Sequence, residues 1–200
     1  MPALFSRLFG GSSQATAPLP FTLELPDGWV GGRPPDGYRE ALRGYGDTHP
    51  ECADRVTELM GYEVGDGLYM AIDACGSDAN MIVEKENVPR GLPAENALDA
   101  YVAANRDNLA AREDLIGQPT QSRTDIPFAG GRMLRWSWSY EGSPPSSFTL
   151  YAFASGPRLW VLTFSCDTAS AEEHEAVFSA IASSFRLMQS ASIVRTPPSS

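Results

Sequence analysis

The chain has 200 residues, of which 42% are hydrophobic and 10% aromatic, and its formal net charge is −10. This length suits one domain, and the composition is that of a globular protein rather than a disordered one. The acidic balance argues against nucleic acid and against an anionic membrane surface, because both need a basic protein surface. No apolar run in the sequence approaches the roughly 20 residues that cross a bilayer, so we expect no integral membrane segment.

Composition divides the chain into three parts. Residues 1–18 combine a short apolar peptide with a linker of Gly, Ser, Ala, Thr, Gln and Pro, which is typical of a flexible segment. Residues 19–187 are expected to form a single folded domain. The tail at 188–200 ends in Thr-Pro-Pro-Ser-Ser and is predicted to be unstructured.

The domain is predicted to open with a strand and a short helix. Phe21–Leu25 alternates apolar and polar side chains, which predicts a strand. The Gly/Pro-rich stretch 31–46 is predicted to be irregular. Thr48 and Glu51 have the spacing of a capping box, so a helix is expected over Cys52–Met60.

A hairpin and a longer helix follow. Leu68–Ala74 and Asn80–Val88 are predicted to be two strands joined by a tight turn. Pro93 is a suitable start for the helix, because proline is tolerated in a first helical turn. Its predicted apolar stripe consists of Leu98, Tyr101, Val102, Asn105 and Leu109.

The last third of the domain is predicted to be strand-rich. Ile116–Ile126 forms a polar strand that suits a sheet edge. Three further strands, Arg132–Glu141, Ser147–Ala154 and Leu159–Cys166, are expected to form an antiparallel meander. A final helix begins at Ser170, with Glu173 completing a second capping box. Its buried face is predicted to contain His174, Phe178, Ile181 and Phe185.

Trp136, Trp138 and Tyr140 project from one side of a single predicted strand because they are spaced by two. Three such rings could form a platform for a peptide or a planar ligand. The alternative is that this face packs beneath a helix, since aromatic side chains contribute strongly to burial.

Cys52, Cys75 and Cys166 are odd in number, widely spaced and set among apolar residues. We interpret them as three small buried side chains in a reducing compartment. One disulfide with a leftover thiol is the alternative, and it would fit export. The apolar run Leu4–Phe9 is too short and too interrupted for the roughly 7–15-residue core of a signal peptide. The expected location is therefore the cytoplasm.

The only two histidines, His49 and His174, limit acid–base chemistry near neutral pH. We interpret both as structural; an enzyme that uses either of them with a nearby Asp or Cys is the last alternative. The Cys and His spacings do not suit zinc, the aspartates lack the pattern of an EF-hand loop, and there is no phosphate-binding glycine loop. We expect no enzymatic activity, no metal and no cofactor.

The N-terminal peptide is a candidate docking motif. Leu4, Phe5, Leu8 and Phe9 would share one side of a helical turn that precedes a flexible linker. This arrangement favours a short linear motif that folds into a groove on a partner. A frayed terminus, or a segment packed on its own domain, is the alternative.

The order of elements resembles that of PsbP-like, Mog-type domains, whose bacterial relatives include DcrB-like and LpqN-like proteins. The resemblance rests on the opening 21–29, on the helix around Leu98-Asp99-Ala100-Tyr101 and on the closing helix Phe178–Arg186, and it covers roughly 19–187. It implies an α/β/α sandwich around an antiparallel sheet, in proteins that generally bind other proteins and lack an enzymatic site. The sequence departs from many bacterial relatives because it shows no export signal and no lipidation cysteine near its start.

Together these features predict an α/β (α+β) protein with an antiparallel sheet flanked by helices. The function that we expect is that of a non-catalytic, protein-binding adaptor, chaperone or assembly component, acting through an apolar or aromatic surface and the N-terminal peptide. Whether it forms a homo-oligomer stays open. The alternative function is a small-molecule carrier or sensor, with a pocket between sheet and helix lined by residues such as Trp136, Trp138 and Trp160.

Overall fold

A computed structural model describes residues 18–88, 92–110, 112–128, 131–142 and 144–188. The helices are α1 (Asp36–Thr48), α2 (Ala53–Met60), α3 (Ala94–Ala110) and α4 (Ala171–Ser184). The strands are β1 (Phe21–Thr22), β2 (Trp29–Gly32), β3 (Tyr69–Asp73), β4 (Asn80–Asn87), β5 (Leu115–Phe128), β6 (Gly131–Tyr140), β7 (Ser146–Ser155), β8 (Arg158–Asp167) and β9 (Arg186–Leu187). Each helix within these described ranges is too short or too polar to span a bilayer.

Seven strands form one antiparallel sheet in the order β2-β3-β4-β8-β7-β6-β5, and β1 pairs with β9 in a separate two-stranded ribbon. The predicted hairpin of β3 and β4 and the predicted meander of β6, β7 and β8 are both confirmed. The long strands β7 and β8 pair without interruption from Ser146↔Asp167 to Ser155↔Arg158. They form the centre of the sheet together with β4.

Both faces of the sheet are covered, which confirms the predicted α/β/α layers. On one face, the α4 face, helix α4 and the β1–β9 ribbon pack on the central strands; the largest fully buried side chains here include Tyr151, Phe153, Phe164 and Phe185. On the opposite face, the α1–α3 face, α1 and α2 cover β2 and β3, and α3 covers the strands around β7. Alternating side chains on each strand therefore enter two separate cores.

Helix α4 confirms the predicted apolar face. Phe178 stacks on Phe164 of β8, with ring centroids 4.7 Å apart, and Phe185 stacks on Phe21 of β1 at 4.8 Å. The predicted capping box is wrong, however. The Ser170 hydroxyl donates to the Asp167 carbonyl at 3.0 Å, and the Asp167 carboxylate instead accepts the backbone N–H of Ala169.

The prediction of an irregular stretch over 31–46 is wrong, because helix α1 begins at Asp36. Tyr38 and Leu42 are four residues apart, so they lie on one side of the helix, and both are buried in a cluster with side chains of α2, β2 and β3. Burial of two large side chains stabilises by about 3–6 kcal/mol, which offsets the roughly 3 kcal/mol that the three glycines of α1 cost together. Gly46 also permits the close approach, since a Cβ there would lie 3.1 Å from Val56.

The first predicted capping box is also absent. Thr48 is the last residue of α1, and its hydroxyl donates to the Tyr45 carbonyl at 3.0 Å. A single 3₁₀ turn, Pro50–Cys52, then leads into α2. The expected helix over Cys52–Met60 is otherwise confirmed.

Strand β1 is shorter than predicted because its antiparallel partner, β9, begins only at Arg186, directly after the end of α4. The ribbon pairs Phe21 with Leu187 and Thr22 with Arg186. Beyond Thr22, the position of a partner strand is taken by the end of α4, where the Ser184 hydroxyl accepts the backbone N–H of Glu24 at 2.8 Å. The alternation seen in the sequence persists, since Leu23 and Leu25 pack towards the α4 face.

Strand β5 lies at the sheet edge, as predicted. Its pairing with β6 is interrupted by register shifts between Ile116 and Thr120 and between Thr124 and Phe128. Gly117 adopts a positive φ of 69°, which glycine accommodates without a steric penalty. Such irregularities discourage another chain from pairing along an edge strand.

Candidate functional site

The aromatic strand face lies largely beneath helix α3. Trp138 is 4% exposed, and its ring stacks on Phe148 with a centroid distance of 5.6 Å and an interplanar angle of 7°. It belongs to the same core cluster as Leu98 and Val102 of α3. Trp138 therefore packs under a helix, as in the alternative drawn from the sequence, and it is not presented to a partner as a platform.

The neighbours of Trp138 on this face differ in their surroundings. Tyr140 is half-buried, and the Arg112 guanidinium lies over its ring, 4.1 Å from the centroid. Trp136 pairs with Leu150 in the backbone register of β6 and β7, but its side chain lies outside the described residues. The docking residues Leu4, Phe5, Leu8 and Phe9 also lie outside them, so the N-terminal docking role stays a prediction.

The pocket proposed for a small-molecule carrier cannot be formed by its predicted tryptophans. Trp138 packs in the core of the α1–α3 face, whereas Trp160 packs in the core of the α4 face. The sheet lies between the two rings. Trp160 of β8 and Trp138 of β6 project from opposite faces of the sheet, so they cannot line one cavity.

Among the residues whose burial the structure describes, the exposed large hydrophobic side chains are Tyr62, Ile116 and Met188, which follow α2, lie in β5 and follow β9. Single exposed apolar side chains are normal on a protein surface. These three side chains come from separate elements, and Trp138 of the expected aromatic surface is buried.

Two of the three cysteines form a disulfide, so the prediction of three free thiols is wrong. Cys52 in the 3₁₀ turn is bonded to Cys75 in the β3–β4 turn, with their Cα atoms 5.2 Å apart. Folding brings the two turns together although 23 residues separate the cysteines. Cys166 is free and buried, and burial raises the pKa of its thiol.

A hydrogen-bond chain of three polar side chains joins α4 to the β3–β4 turn. The Ser77 hydroxyl lies 2.9 Å from Nε2 of His174 and 3.1 Å from Oδ2 of Asp73. On the other side of the ring, Nδ1 of His174 lies 2.9 Å from the Ser170 carbonyl. His174 was recognised in the sequence, but Ser77 and Asp73 were not, because 97 residues separate Ser77 from His174.

The hydrogen-bond chain of His174, Ser77 and Asp73 contains the residue types of a hydrolase triad. Their order does not suit nucleophilic catalysis. In a triad the carboxylate holds the imidazole, so that the ring can remove the proton of the hydroxyl. Here the carboxylate of Asp73 contacts the hydroxyl itself, while a carbonyl holds the ring. The nearby backbone N–H groups of Cys75 and Gly76 donate to Asp73, so they do not form an oxyanion hole. The arrangement fastens two elements together.

The second histidine has only local contacts. The ring of His49 stacks on Tyr45 with centroids 3.9 Å apart, and its Nδ1 contacts the Tyr45 carbonyl at 3.1 Å and the Thr48 hydroxyl at 2.9 Å. All three residues belong to the end of α1. Within the described ranges, no group of three or more His, Cys, Asp or Glu side chains is arranged to hold a metal ion.

Two carboxylates on the α1–α3 face form an acidic pair that sequence reasoning missed. Glu84 and Glu86 alternate with Lys85 in β4, so they project to the same side of the sheet. Burial, reinforced by Glu86, raises the pKa of Glu84 to about 7, and burial also raises the pKa of Glu86. Burial and these two carboxylates raise the pKa of Tyr101 in α3. The only indication of this acidic pair in the sequence was the alternation of Glu84, Lys85 and Glu86, which resembled the polar end of a strand.

An open hollow of about 450 Å³ lies between the β1 segment and the last turn of α4. We call it the β1–α4 hollow; its lining residues are Thr22, Leu23, Glu24, Ala180, Ser183, Ser184 and Arg186. Glu24 and Arg186 are exposed. One guanidinium nitrogen of Arg186 donates to the carbonyls of Ser183 and Phe185, at 2.6 and 2.8 Å. The hollow thus presents a carboxylate, a guanidinium and hydroxyl groups, which suit a polar and charged guest.

The layers and strand order define the chain as a PsbP-like, Mog-type α/β fold, which confirms the resemblance seen in the sequence. The LpqN structure, from a protein involved in cell envelope biogenesis of Mycobacterium tuberculosis, is similar over 84% of this chain and 83% of its own, with 9% identity and a TM-score of 0.51. PsbP from Synechocystis aligns over 88% of this chain and 98% of its own, with 14% identity and a TM-score of 0.45. The Saccharomyces cerevisiae Ran-binding protein Mog1p aligns over 64% and 83%, with 8% identity and a TM-score of 0.41. The sequence matches no protein-family model and no curated protein. At these identities the likeness establishes the fold alone.

Proposed function

We propose that the protein is a non-catalytic accessory protein that binds another protein, and that the β1–α4 hollow is part of its docking site. The observation that carries this proposal is an open concavity of about 450 Å³ whose charged side chains, Glu24 and Arg186, have no ion-pair partner within 4 Å in the described part of the chain. Exposed charges in a concave surface can pair with a partner and select its register. The order of His174, Ser77 and Asp73 supports a binding role rather than catalysis.

The chemistry of the hollow indicates a polar partner segment. Its exposed lining residues are Thr22, Glu24, Ala180 and Arg186, and none of them is a large apolar side chain. The adaptor, chaperone or assembly role expected from the sequence therefore shifts from an aromatic strand face to a charged concavity. The N-terminal peptide with Leu4, Phe5, Leu8 and Phe9 is the second proposed contact.

The disulfide supports an oxidising compartment as the place of action. The cytoplasmic location expected from the sequence rested on three reduced thiols and on the short, interrupted apolar run at Leu4–Phe9, and the disulfide removes the first of these grounds. Disulfides persist in extracytoplasmic compartments and are rare in the cytosol, where thiols are kept reduced. We therefore propose that the protein works where the Cys52–Cys75 bond is maintained.

The test is a comparison of proteins captured by the wild type and by two charge-reversal variants. Arg186→Glu and Glu24→Lys each leave a like-charge pair in the hollow, so we expect a partner with complementary charges to be lost from both. Arg158→Glu is the matched control, because Arg158 is an exposed arginine at the start of β8 and is not among the lining residues. A fifth sample lacks residues 1–11.

Quantitative mass spectrometry of the captured proteins gives the readout, and thermal unfolding verifies that each variant is folded. Loss of the same protein from both hollow variants, with retention by Arg158→Glu, supports the proposal. Equal capture by all five samples would show that neither proposed contact is used. A reproducible failure of the wild type to retain any protein above background contradicts the binding function itself.

A further inference from the structure

The guanidinium of Arg186 is held in place by the end of helix α4. Its Nη1 nitrogen donates to the Ser183 carbonyl at 2.6 Å and to the Phe185 carbonyl at 2.8 Å, so both hydrogens of Nη1 are used. A positive charge is favourable at the C-terminal end of a helix. Because the side chain is already fixed, it loses little conformational freedom when a partner binds.

The other edge of the same guanidinium is unused by the described residues. None of their hydrogen bonds or ion pairs involves Nε or Nη2 of Arg186. Nε–H and one Nη2–H point in parallel, and their spacing matches the two oxygens of a carboxylate. Arg186 is exposed and lines the β1–α4 hollow, so a partner in the hollow can reach it.

The walls of the hollow leave room for a peptide segment. Ser183 and Ser184 follow Ala180 by three and four residues, so these three small side chains lie on one side of α4. The opposite wall is formed by residues 22–24. The Ser184 hydroxyl fixes this wall against the helix, because it accepts the backbone N–H of Glu24 at 2.8 Å. No long side chain of α4 therefore stands between Arg186 and the opening of the hollow.

The charges around the hollow favour a carboxylate over a phosphate. The chain has a formal net charge of −10, and the exposed carboxylate of Glu24 lines the same hollow. A phosphate group carries nearly two negative charges at neutral pH, so it is repelled more strongly than a singly charged carboxylate. Glu24 and Arg186 do not form an ion pair with each other, which leaves the carboxylate of Glu24 available to a basic side chain.

We propose that Arg186 binds an acidic side chain of the partner protein in a bidentate manner, through Nε and Nη2. Glu24 then pairs with a lysine or arginine close to that acid in the partner segment. This assignment rests on the docking role proposed for the hollow, and it specifies the chemistry of the segment that docks there. Bidentate pairing also fixes the orientation of the carboxylate, which a point charge does not.

The first test uses short random peptides with capped ends, selected on the full-length chain and counter-selected on Arg186→Glu. We expect the retained peptides to contain an acidic residue with a basic residue nearby. Changing the acid to its amide in a selected peptide should weaken binding roughly tenfold or more, since a hydrogen bond to a charged group is lost. A phosphoserine in place of the acid should also bind more weakly.

The outcomes of this selection separate the two proposals. Retained peptides without an acidic preference, or tighter binding of the phosphoserine form, overturn the assignment to a carboxylate but leave the docking role intact. A selection that retains no peptide on the wild type over Arg186→Glu counts against both.

The second test observes the Nε–H group of Arg186 directly. In a ¹H–¹⁵N spectrum of the labelled full chain, its signal is assigned by its loss in Arg186→Lys. We expect a selected peptide to shift this signal and the amide form of the peptide to leave it in place. Lysine retains the charge but lacks the Nε–Nη2 edge, so Arg186→Lys should bind the peptide roughly fivefold more weakly.

Arg158→Lys is the matched control and should bind like the wild type, because Arg158 is exposed and is not a lining residue. Thermal unfolding verifies that both variants are folded. Equal affinity of Arg186→Lys and the wild type, or an unmoved Nε–H signal in the peptide complex, overturns the bidentate contact. The docking role would survive either result, since the peptides were selected for loss of binding in Arg186→Glu.

Discussion

Reduction of the Cys52–Cys75 disulfide is expected to lower the free energy of unfolding by about 3 kcal/mol. The bond joins residues 23 apart in sequence. A cross-link removes chain entropy of roughly 2.1 + 1.5R ln n cal/mol/K from the unfolded state, and for n = 23 this gives about 3 kcal/mol at 25 °C. With a urea m-value of about 2–3 kcal/mol/M for a domain of this size, the midpoint should fall by about 1–1.5 M.

The assay is urea denaturation with and without dithiothreitol, followed by tryptophan fluorescence, on protein prepared in an oxidising compartment. A thiol titration in denaturant should count one free thiol before reduction and three after it. The double variant Cys52→Ala/Cys75→Ala is the control and should not respond to reductant. Three reactive thiols in the unreduced protein, or equal midpoints with and without reductant, would refute the reasoning.

Two further predictions concern a buried acid and a pair of glycines. Glu84→Gln should flatten the loss of stability between about pH 4.5 and pH 7, because a carboxyl whose pKa is raised on folding contributes stability that is present at low pH and lost as the pH rises. Because the side chain is half-buried, we expect a gain on the order of 1–2 kcal/mol at pH 8 relative to wild type, measured by urea denaturation; an unchanged pH profile would contradict it. Gly44→Ala should stabilise by about 0.5–1 kcal/mol, since Gly44 is exposed within α1 and a Cβ there meets no atom within 4 Å. Gly32→Ala should destabilise, because its Cβ would lie 2.7 Å from the Tyr38 nitrogen and still closer to the Gly37 backbone. Thermal unfolding of this matched pair checks both signs, and a stable Gly32→Ala protein would be inconsistent with the close approach of β2 and α1.

The elements that were predictable from sequence are those in which local periodicity and burial agree. The strands β7 and β8 are rich in aromatic and β-branched side chains and are separated by a tight turn at Gly156, which has a φ of 56°. Helix α4 has apolar residues at spacings of three and four, and these are buried in the structure. The PsbP-like, Mog-type fold was predictable because these patterns occur in the expected order.

The elements that were not predictable depend on contacts between distant parts of the chain. Helix α1 has glycines at 37, 44 and 46, and its formation depends on burial against α2 and the sheet. The strand at Phe21 is shortened by the end of α4, which local alternation does not report. The same holds for the disulfide and for the partners of His174, because spacing along the chain does not show which turns meet in space.

The candidate site was not predictable from the sequence. The expected binding surface was aromatic, with packing beneath a helix as the alternative, and Trp138 does pack in a core. It did not indicate the β1–α4 hollow, whose lining residues come from the opposite ends of the domain. The spacing of residues along the chain does not show that Glu24 and Arg186 line the same concavity.

The pairing of β1 with β9 determines when the domain can be completed during synthesis. Phe21 is among the first described residues to leave the ribosome, yet the side chain on which it stacks, Phe185, is among the last. Until translation has passed Leu187, the N-terminal strand lacks its partner and the hydrophobic surface beneath it is open to water. We therefore expect cooperative folding only after Leu187 has left the ribosome, at a rate limited by closing a loop that contains nearly the entire domain.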